Sequence, residues 1–504
     1  MSSIKREFVN SNGERVVFCD FGKDAYARLD VILYAPDTAG EVTVAVGQWL
    51  KDGSIDREPG KYRYYAECKL ALRAGIQRYH MVLPVHGSPC GNLPKCEVPD
   101  GGEVGIFRYA EVIGAPGFVE FERIEVAAPF DDDAAIFQCD NEQLNTVWEF
   151  CKYTVKVSTP FGVYIDGNRE RYAYEGDSFI NQLSHFCCDS SYTIARDTID
   201  RLLAYPTWPT EFSYMMPLIA RDYLLYSGDK ESIRRWLPHL DEKLRYEILV
   251  SPEGFSGNCD ENISGWRIHD MVDWPICDRD NYEFGKINFV PNACRYAALL
   301  AMAELTGETI YFYRAQVLRD GIRRIMFKNG LPVDNPESQH TSLHSAVYAI
   351  CWGIANAAEF PQLMKLIREK GMCCSPYTAQ FLLDSCFIAG MPEHALDLMT
   401  ADNDRSWLGM IKQGATCTTE AWSVENKPNE DWCHAWSTAP ANIIMRRICG
   451  VRPTAPGFEK FEIKPDFAGL KNLYAKIPTP RGPVEMILCN GKLQLLNTPT
   501  ISVK

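Results

Sequence analysis

The chain predicts a mainly α protein, an (α/α)6 barrel of six helical hairpins flanked by an N-terminal β-sandwich and a small C-terminal β-domain. Hydrophobic spacing has period two up to about Val126, takes the i, i+3, i+4 spacing of helices beyond Pro129, and returns to period two past Pro453. About twelve helical segments succeed one another in the middle stretch without an intervening strand, which pairs them as six hairpins. No repeat of fixed period is evident, which favours a closed barrel over a solenoid. The implied divisions are 1–130, 131–451 and 452–504.

In the first stretch Val42, Val44 and Val46 alternate with other residues, as do Tyr62, Tyr64 and Ala66 before Leu70. The runs Tyr79–Leu83 and Phe121–Val126 lie between Gly, Pro and Asp turns, the signature of a sandwich. Asn141 before Glu142–Trp148 reads as a capped helix start. Helical spacing then covers 142–157, 190–205, 211–227, 230–249, 292–307, 308–327, 342–355, 377–390 and 438–450 among others. At the end, Phe461–Ile463, Val484–Leu488 and Leu493–Leu495 read as strands, with an Asn490-Gly491 turn joining the last two.

The 504 residues are 46% hydrophobic and 12% aromatic, which excludes disorder, collagen and a small disulfide scaffold. Against 66 Asp and Glu stand 52 Lys and Arg, a net charge of −14 that repels phosphate backbones and anionic lipid, so neither nucleic acid nor membrane is an expected partner. The first residues carry charges where a signal peptide needs an apolar stretch, and no run approaches the roughly 18 apolar residues of a membrane span. The nineteen cysteines include no Cys-x-x-Cys and read as buried thiols, so a cytoplasmic location is expected. The oligomeric state is open, a homodimer being one option.

Three long polar, aromatic-rich connections, 159–177, 251–291 and 415–437, interrupt the helices, and such loops usually carry function. The first ends in Tyr164-Ile-Asp166-Gly-Asn-Arg169-Glu170-Arg171-Tyr172-Ala-Tyr174-Glu175-Gly-Asp177, where carboxylates and guanidinium groups mix with tyrosine rings. The third holds Trp422, Trp432 and Trp436 with Glu420, Glu425, Glu430, Asp431 and His434, and the second adds Trp266, Arg267, His269, Asp270, Asp273, Trp274, Arg279 and Asp280. Rings that stack on sugar faces beside carboxylates that hold hydroxyls suit a carbohydrate pocket, while salt-bridged turns and structural tryptophans would use the same letters. Three loops of one composition point to one convergent site. There is no Gly-x-Ser-x-Gly elbow, Walker loop or His-Glu-x-x-His. His340 and His344 stand at i, i+4, but without a third ligand they read as a hydrogen-bonded wall, so no catalytic metal or cofactor is expected, and a structural calcium stays open.

Asp166-Gly-Asn-Arg-Glu-Arg followed by Gly176-Asp177 resembles the signature of the inverting α-L-rhamnosidases, as do Thr418-Thr-Glu-Ala-Trp422, His434-Ala-Trp436 and Pro456-Gly-Phe458. The resemblance covers roughly 105–504 and implies a six-hairpin barrel that hydrolyses terminal α-L-rhamnosides. It implies Glu170 as general acid and Glu420 as general base, with Asp166, Arg169 and Asp177 holding the sugar and shaping the acid's surroundings. Trp208, Trp274, His344, Trp422 and His434 fall in segments similar to the family's pocket segments and are substrate-binding candidates. Two departures stand out. Asp166 lies four residues before Glu170, one fewer than in the more familiar spelling, and Glu420 precedes the Trp that the base often follows, which leaves Glu425, Glu430 and Asp431 as alternatives. A related barrel glycosidase acting on another sugar, such as an unsaturated uronide, and an inactive carbohydrate-binding homologue are the competing readings.

Overall fold

The computed structural model describes residues 3–37, 40–60, 63–87, 96–258, 262–263, 266–267 and 269–499. Its N-terminal part is built on one long strand. After β1 (Ile4–Val9), strand β2 (Arg15–Ala35) pairs with β1 and with β8 (Gly105–Ile113) through its first half. Its second half pairs with β7 (Gly75–His80) and β9 (Val119–Glu125). Between Asp20 and Ala25, around Gly22 at φ 85°, the register slips, so β2 bends and serves two groups of strands. β3 (Glu41–Gly47) and β6 (Tyr65–Ala71) extend the first group beyond β8, and β4 (Leu50–Lys51) and β5 (Ser54–Ile55) form a short hairpin. Val17, Leu29, Val31, Val44 and Val112 meet in one buried cluster, so period-two spacing sets which faces turn inward. Of the expected strand through Tyr62, Tyr64 and Ala66, the ordered pairing begins at Tyr65, and Tyr62 lies outside the described residues.

The helices follow: α1 (Glu142–Val157), α2 (Glu175–Cys188), α3 (Thr193–Ala204), α4 (Thr210–Ser227), α5 (Lys230–Glu242), α6 (Phe289–Thr306), α7 (Thr309–Met326), α8 (Leu343–Cys351), α9 (Phe360–Lys370), α10 (Pro376–Ile388), α11 (Pro392–Met399), α12 (Trp407–Lys412) and α13 (Ala439–Ile443). Neighbour follows neighbour in a ring: α2 packs on α4, α4 on α6, α6 on α8, α8 on α10, α10 on α13, and α13 returns to α2. Ring helices α2 and α10 are buried on nearly every side, whereas α5, α7 and α9 bury one stripe each, as helices laid outside a core do. Asn141 caps α1 by accepting from the Leu144 N–H, as its position suggested. The expected helix 230–249 stops at Glu242, because Arg245 turns left-handed at φ 54°. The expected helix 438–450 is α13 followed by a π turn over Ile444–Ile448.

The C-terminal sheet takes a strand from the other side of the helical region. β17 (Leu473–Ile477), β18 (Val484–Cys489) and β19 (Lys492–Asn497) form a meander, and β10 (Ile136–Cys139) pairs with β17 ahead of α1. Asn490 and Gly491, at φ 48° and 76°, form the tight turn between β18 and β19. The expected strand at 461–463 pairs instead with Val451–Pro453 as a separate ribbon.

The N-terminal strands are fastened to the loops of the helical region. Asp24 donates its N–H to Thr416 Oγ1 at 2.8 Å and accepts from that hydroxyl at 2.7 Å, while Tyr153 donates to the Asp24 carbonyl. Arg171 pairs with Glu103 at 2.6 Å and donates to the Val104 carbonyl at 2.9 Å. The first and third loops are thus braced from outside the helices.

Candidate active site

A cavity of about 180 Å³ opens where the chain enters α2 and α4, lined by residues of all three long loops. It is smaller than the roughly 300–1,000 Å³ of sites that hold drug-sized ligands, and suits one ring. Asp166, Arg169, Glu170, Asp177, Trp208, Trp274, Glu420 and His434 line it. Sequence reasoning did not assign Tyr174, Phe212, Met271, Lys427, Asn429 and Trp436, which line it too.

The first loop holds its shape through its own backbone. Asp166 accepts the Tyr172 N–H at 2.9 Å and donates its own N–H to the Tyr172 carbonyl, closing a turn in which Arg171 sits at φ 58°. Gly167 is required because a Cβ there would lie 2.5 Å from Asp431 Oδ2, and at Gly176 a Cβ would run into the Phe212 ring. The turn presents Arg169 and Glu170 to the cavity. Arg169 hydrogen-bonds Glu170 through one terminal nitrogen and Glu420 Oε1 through the other, the latter at 3.0 Å. One guanidinium therefore links carboxylates from loops 250 residues apart. Tyr174 donates its hydroxyl to Glu170 Oε2 at 2.6 Å.

The third loop folds back on itself so that Glu420 donates its N–H to the Asp431 carbonyl and His434 donates its N–H to the Thr418 carbonyl. Glu420 is buried and accepts at Oε2 from Lys427 Nζ at 2.8 Å and from the Asp431 N–H at 3.1 Å. Burial alone would favour its neutral form, but Lys427 and Arg169 prevail and hold its pKa down to about 2. Asp431 behaves oppositely: burial and the neighbouring Glu420 charge push it up to about 6. Burial, then Glu170 and Asp431, push Asp166 well up, and Asp177 is raised by burial although His434 Nε2 pairs with it at 2.8 Å. Asp166, Asp177 and Glu420 in the pocket and Asp431 behind its wall therefore differ in proton affinity.

Aromatic rings complete the walls. Trp208 stacks on His269 at 4.4 Å, and Trp436 packs on His434 at 4.6 Å. Glu211 at the start of α4 accepts the N–H groups of Met271 and Val272 and fixes the second loop beside the cavity. The Trp266 and Arg267 side chains lie outside the described residues.

Two candidates are placed elsewhere. Trp422 is fully buried under the third loop, where its indole donates to the Cys374 carbonyl at 2.6 Å and meets Trp407 edge to face, the structural use that its letter equally allows. His344 is also buried away from the cavity and pairs with Asp273 Oδ2 at 2.6 Å, while Asp273 accepts from Ser375 at the cap of α10. His340 goes to a different carboxylate, Asp334, so the i, i+4 histidines share no ligand position. Of the alternative bases, Glu425 is exposed, and Glu430 and Asp431 are buried behind the cavity wall rather than lining it.

Glu420, Asp431 and His434 bring ligand atoms within 4.8 Å of one another, the geometry of a metal triad. Two cations already engage Glu420, however, and Asp177 engages His434 Nε2, so the donor set is arranged around ion pairs.

The model of the bacterial alpha-L-rhamnosidase six-hairpin glycosidase domain matches residues 132–448, and that of the bacterial alpha-L-rhamnosidase C-terminal domain matches 450–487. Among solved structures, the GH78 family rhamnosidase of Bacillus sp. GL1 superposes with a TM-score of 0.75 at 21% identity, covering 97% of this chain and 53% of that one. The alpha-L-rhamnosidase from Dictyoglumus thermophilum gives 0.78 at 16% identity, covering 100% and 58%. The Streptomyces avermitilis alpha-L-rhamnosidase complexed with L-rhamnose gives 0.76 at 15%, covering 98% and 48%. The chain thus spans about half the length of these structures. No curated protein matches it. With more than half its length matched by the six-hairpin domain model, the chain belongs to the bacterial α-L-rhamnosidase family.

Proposed function

We propose that this chain removes terminal α-L-rhamnose from a glycoside by single-displacement hydrolysis with inversion, Glu170 acting as acid and Glu420 as base. The carrying observation is the pair of buried carboxyl groups, Glu170 and Glu420, that reach one ring-sized cavity from opposite loops under unequal electrostatic influence. Lys427 and Arg169 keep Glu420 ionised, as a base must be. Tyr174 and Arg169 are the partners of Glu170. Glu170 gives its proton to the glycosidic oxygen as the bond to the anomeric carbon breaks. A water on the opposite face attacks that carbon, and Glu420 takes the water's proton. Trp208, Trp274, Trp436, Phe212 and Met271 offer apolar surface to the sugar's methyl group and keep bulk water from the developing oxocarbenium ion.

The ring of α2, α4, α6, α8, α10 and α13, with α1, α3, α5, α7, α9 and α11 outside it, supports reading the helical region as an (α/α)6 barrel, and the two groups of strands sharing β2 support reading the N-terminal part as a sandwich. Rhamnose bound to the Streptomyces relative supports the choice of sugar. Every described cysteine is a free thiol and no described helix is long and apolar enough to cross a membrane, which support a reducing compartment and a substrate met in solution.

The test is hydrolysis of an aryl α-L-rhamnoside by wild type, Glu170→Gln and Glu420→Gln, with the product anomer followed by NMR. First-formed β-L-rhamnose and loss of turnover in Glu420→Gln support the reading. Turnover of other aryl glycosides only would move the assignment to another sugar, and binding of rhamnose without turnover would make the chain a carbohydrate-binding homologue.

A further inference from the structure

A second cavity, of about 340 Å³, lies inside the same ring of helices but toward their opposite ends. The site described above draws on the beginnings of α2 and α4, at Asp177 and Phe212, whereas this cavity is bounded by Leu183 of α2, Arg221 and Leu225 of α4, and Leu300 of α6. At 1.5 Å per residue, the nine residues from Phe212 to Arg221 separate the two by about 14 Å along α4.

Four guanidinium groups face it: Arg221, Arg446, Arg447 and Arg452. Three carboxylates, Asp222, Glu304 and Asp384, line it with them, and a fourth, Glu462, pairs with Arg452 at 2.8 Å from beyond the wall. The pairings are lopsided. Asp384 accepts from Arg447 Nε at 2.6 Å, from Arg446 at 3.4 Å and from Gln380 at 2.7 Å, which leaves it little further accepting capacity. The terminal nitrogens of Arg447 make no hydrogen bond to any described residue, and Arg452, though Nη2 pairs with Glu462 at 2.8 Å, has its Nε buried without an acceptor. Helix C-termini attract cations, but that does not account for guanidinium groups with unused donors around a hollow. Opposite them, Leu225, Leu300, Ile388 and Trp352 offer apolar wall.

We propose that this cavity binds a small organic anion, a carboxylate or phosphate ester carrying an apolar body, with its oxygens on the terminal nitrogens of Arg447 and the Nε of Arg452 and its body against Leu225, Leu300 and Trp352. Planar guanidinium forks match the two oxygens of such a head group, and the apolar wall selects against inorganic ions. The site is independent of turnover, so it stands or falls apart from the glycosidase reading.

The experiment uses the full chain with 4-phenylbutyrate, the neutral 4-phenylbutanol and inorganic phosphate as probes, followed by tryptophan fluorescence and melting temperature, with rhamnose present to occupy the other pocket. Saturable binding of phenylbutyrate is expected, at least about tenfold tighter than that of either comparison probe. Arg447→Gln is expected to lose that preference. Leu300→Trp, which narrows the cavity and leaves every ion pair in place, is expected to abolish binding and guards against misfolding of the arginine variant. Equal binding of the alcohol, equal binding of phosphate, displacement by rhamnose, or unchanged binding in Leu300→Trp would each overturn the proposal, as would no saturable binding of phenylbutyrate.

Discussion

Glu420 and Asp384 are electrostatic twins at opposite ends of one ring of helices. Each is a largely buried carboxylate engaged by two cations, Arg169 and Lys427 for one and Arg446 and Arg447 for the other, and each has its pKa drawn down to about 2 against the pull of burial. Their surroundings separate them. Around Glu420 stand Asp166, Glu170, Asp177 and Asp431, a surplus of acids in which a proton can be held and moved. Around Asp384 stand four arginines, Arg221, Arg446, Arg447 and Arg452, with donors left over. A depressed carboxylate is thus no signature of catalysis by itself; whether acids or unused cationic donors stand beside it decides what the cluster can do.

The sharpest division is in turnover. Glu420→Gln is expected to lower kcat on an aryl rhamnoside by about 10²–10⁴-fold, the range associated with a positioned general base, while Asp384→Asn leaves the kcat of the folded fraction within a few-fold of wild type. Stability should not separate them. Asp384→Asn leaves two guanidinium groups facing each other and is expected to cost about 3–5 kcal/mol, read by urea unfolding, as does breaking a buried pair from one side. If Asp384→Asn abolished turnover in protein that remained folded, the two ends would not be separable as drawn.

Much of this contrast was legible in the sequence, and its limits are physical. Asp166-Gly-Asn-Arg-Glu-Arg announced the acidic cluster because the loop packs five chemical groups into one turn, and the neighbouring Gly176-Asp177 fixed where α2 begins. The change of period near Pro129 and the return to strands near Pro453 located the helical region. What period cannot show is which distant segments meet. Trp422 and Trp436 stand in one aromatic loop, and only Trp422 was a site candidate, yet the third loop turns Trp422 under itself and Trp436 toward the cavity. His344 looked like a site histidine because nothing local reveals that Asp273, 71 residues away, takes its ring. Lys427 carries no local mark of a role, and only the fold-back of 420–431 buries its ammonium group on Glu420. The arginine-rich cavity draws on α2, α4, α6, α10 and the turn after α13, so no stretch of sequence could display it.

Lys427 offers a finer probe of the comparison. With Glu420 held near 2, the acidic limb of kcat/KM that reports its ionisation lies below the range in which activity is readily measured. Lys427→Met removes the leading cation, so the Glu420 pKa rises and the limb moves up toward pH 4–5, the ordinary carboxylate range. Glu420 ionised at neutral pH in both forms means that kcat at pH 7 changes far less than in Glu420→Gln. A pH profile identical to wild type would show that Arg169 alone holds the base.

The smallest effect lies behind the cavity wall, at Glu430. Burial pushes its pKa up to about 7, while its carboxylate accepts the Trp432 indole N–H at 3.1 Å. A carboxyl group whose folded pKa is raised favours the native state while it is protonated. Its stabilising effect is complete below the unfolded pKa near 4.5 and is lost as pH rises through the folded value near 7. Glu420 and Asp384 work in the opposite sense, adding stability above the unfolded carboxylate range that is lost as pH falls toward 2. Urea unfolding between pH 4.5 and 7.5 should therefore show Glu430→Gln with a flatter stability profile than wild type and a gain relative to it at the alkaline end. Because the indole can donate to a Gln carbonyl as it does to the carboxylate, the substitution tests the charge and leaves the contact. Parallel profiles for the two proteins would place the Glu430 proton affinity near that of a free carboxyl group and leave Asp431 as the acid beside Glu420 that resists ionisation.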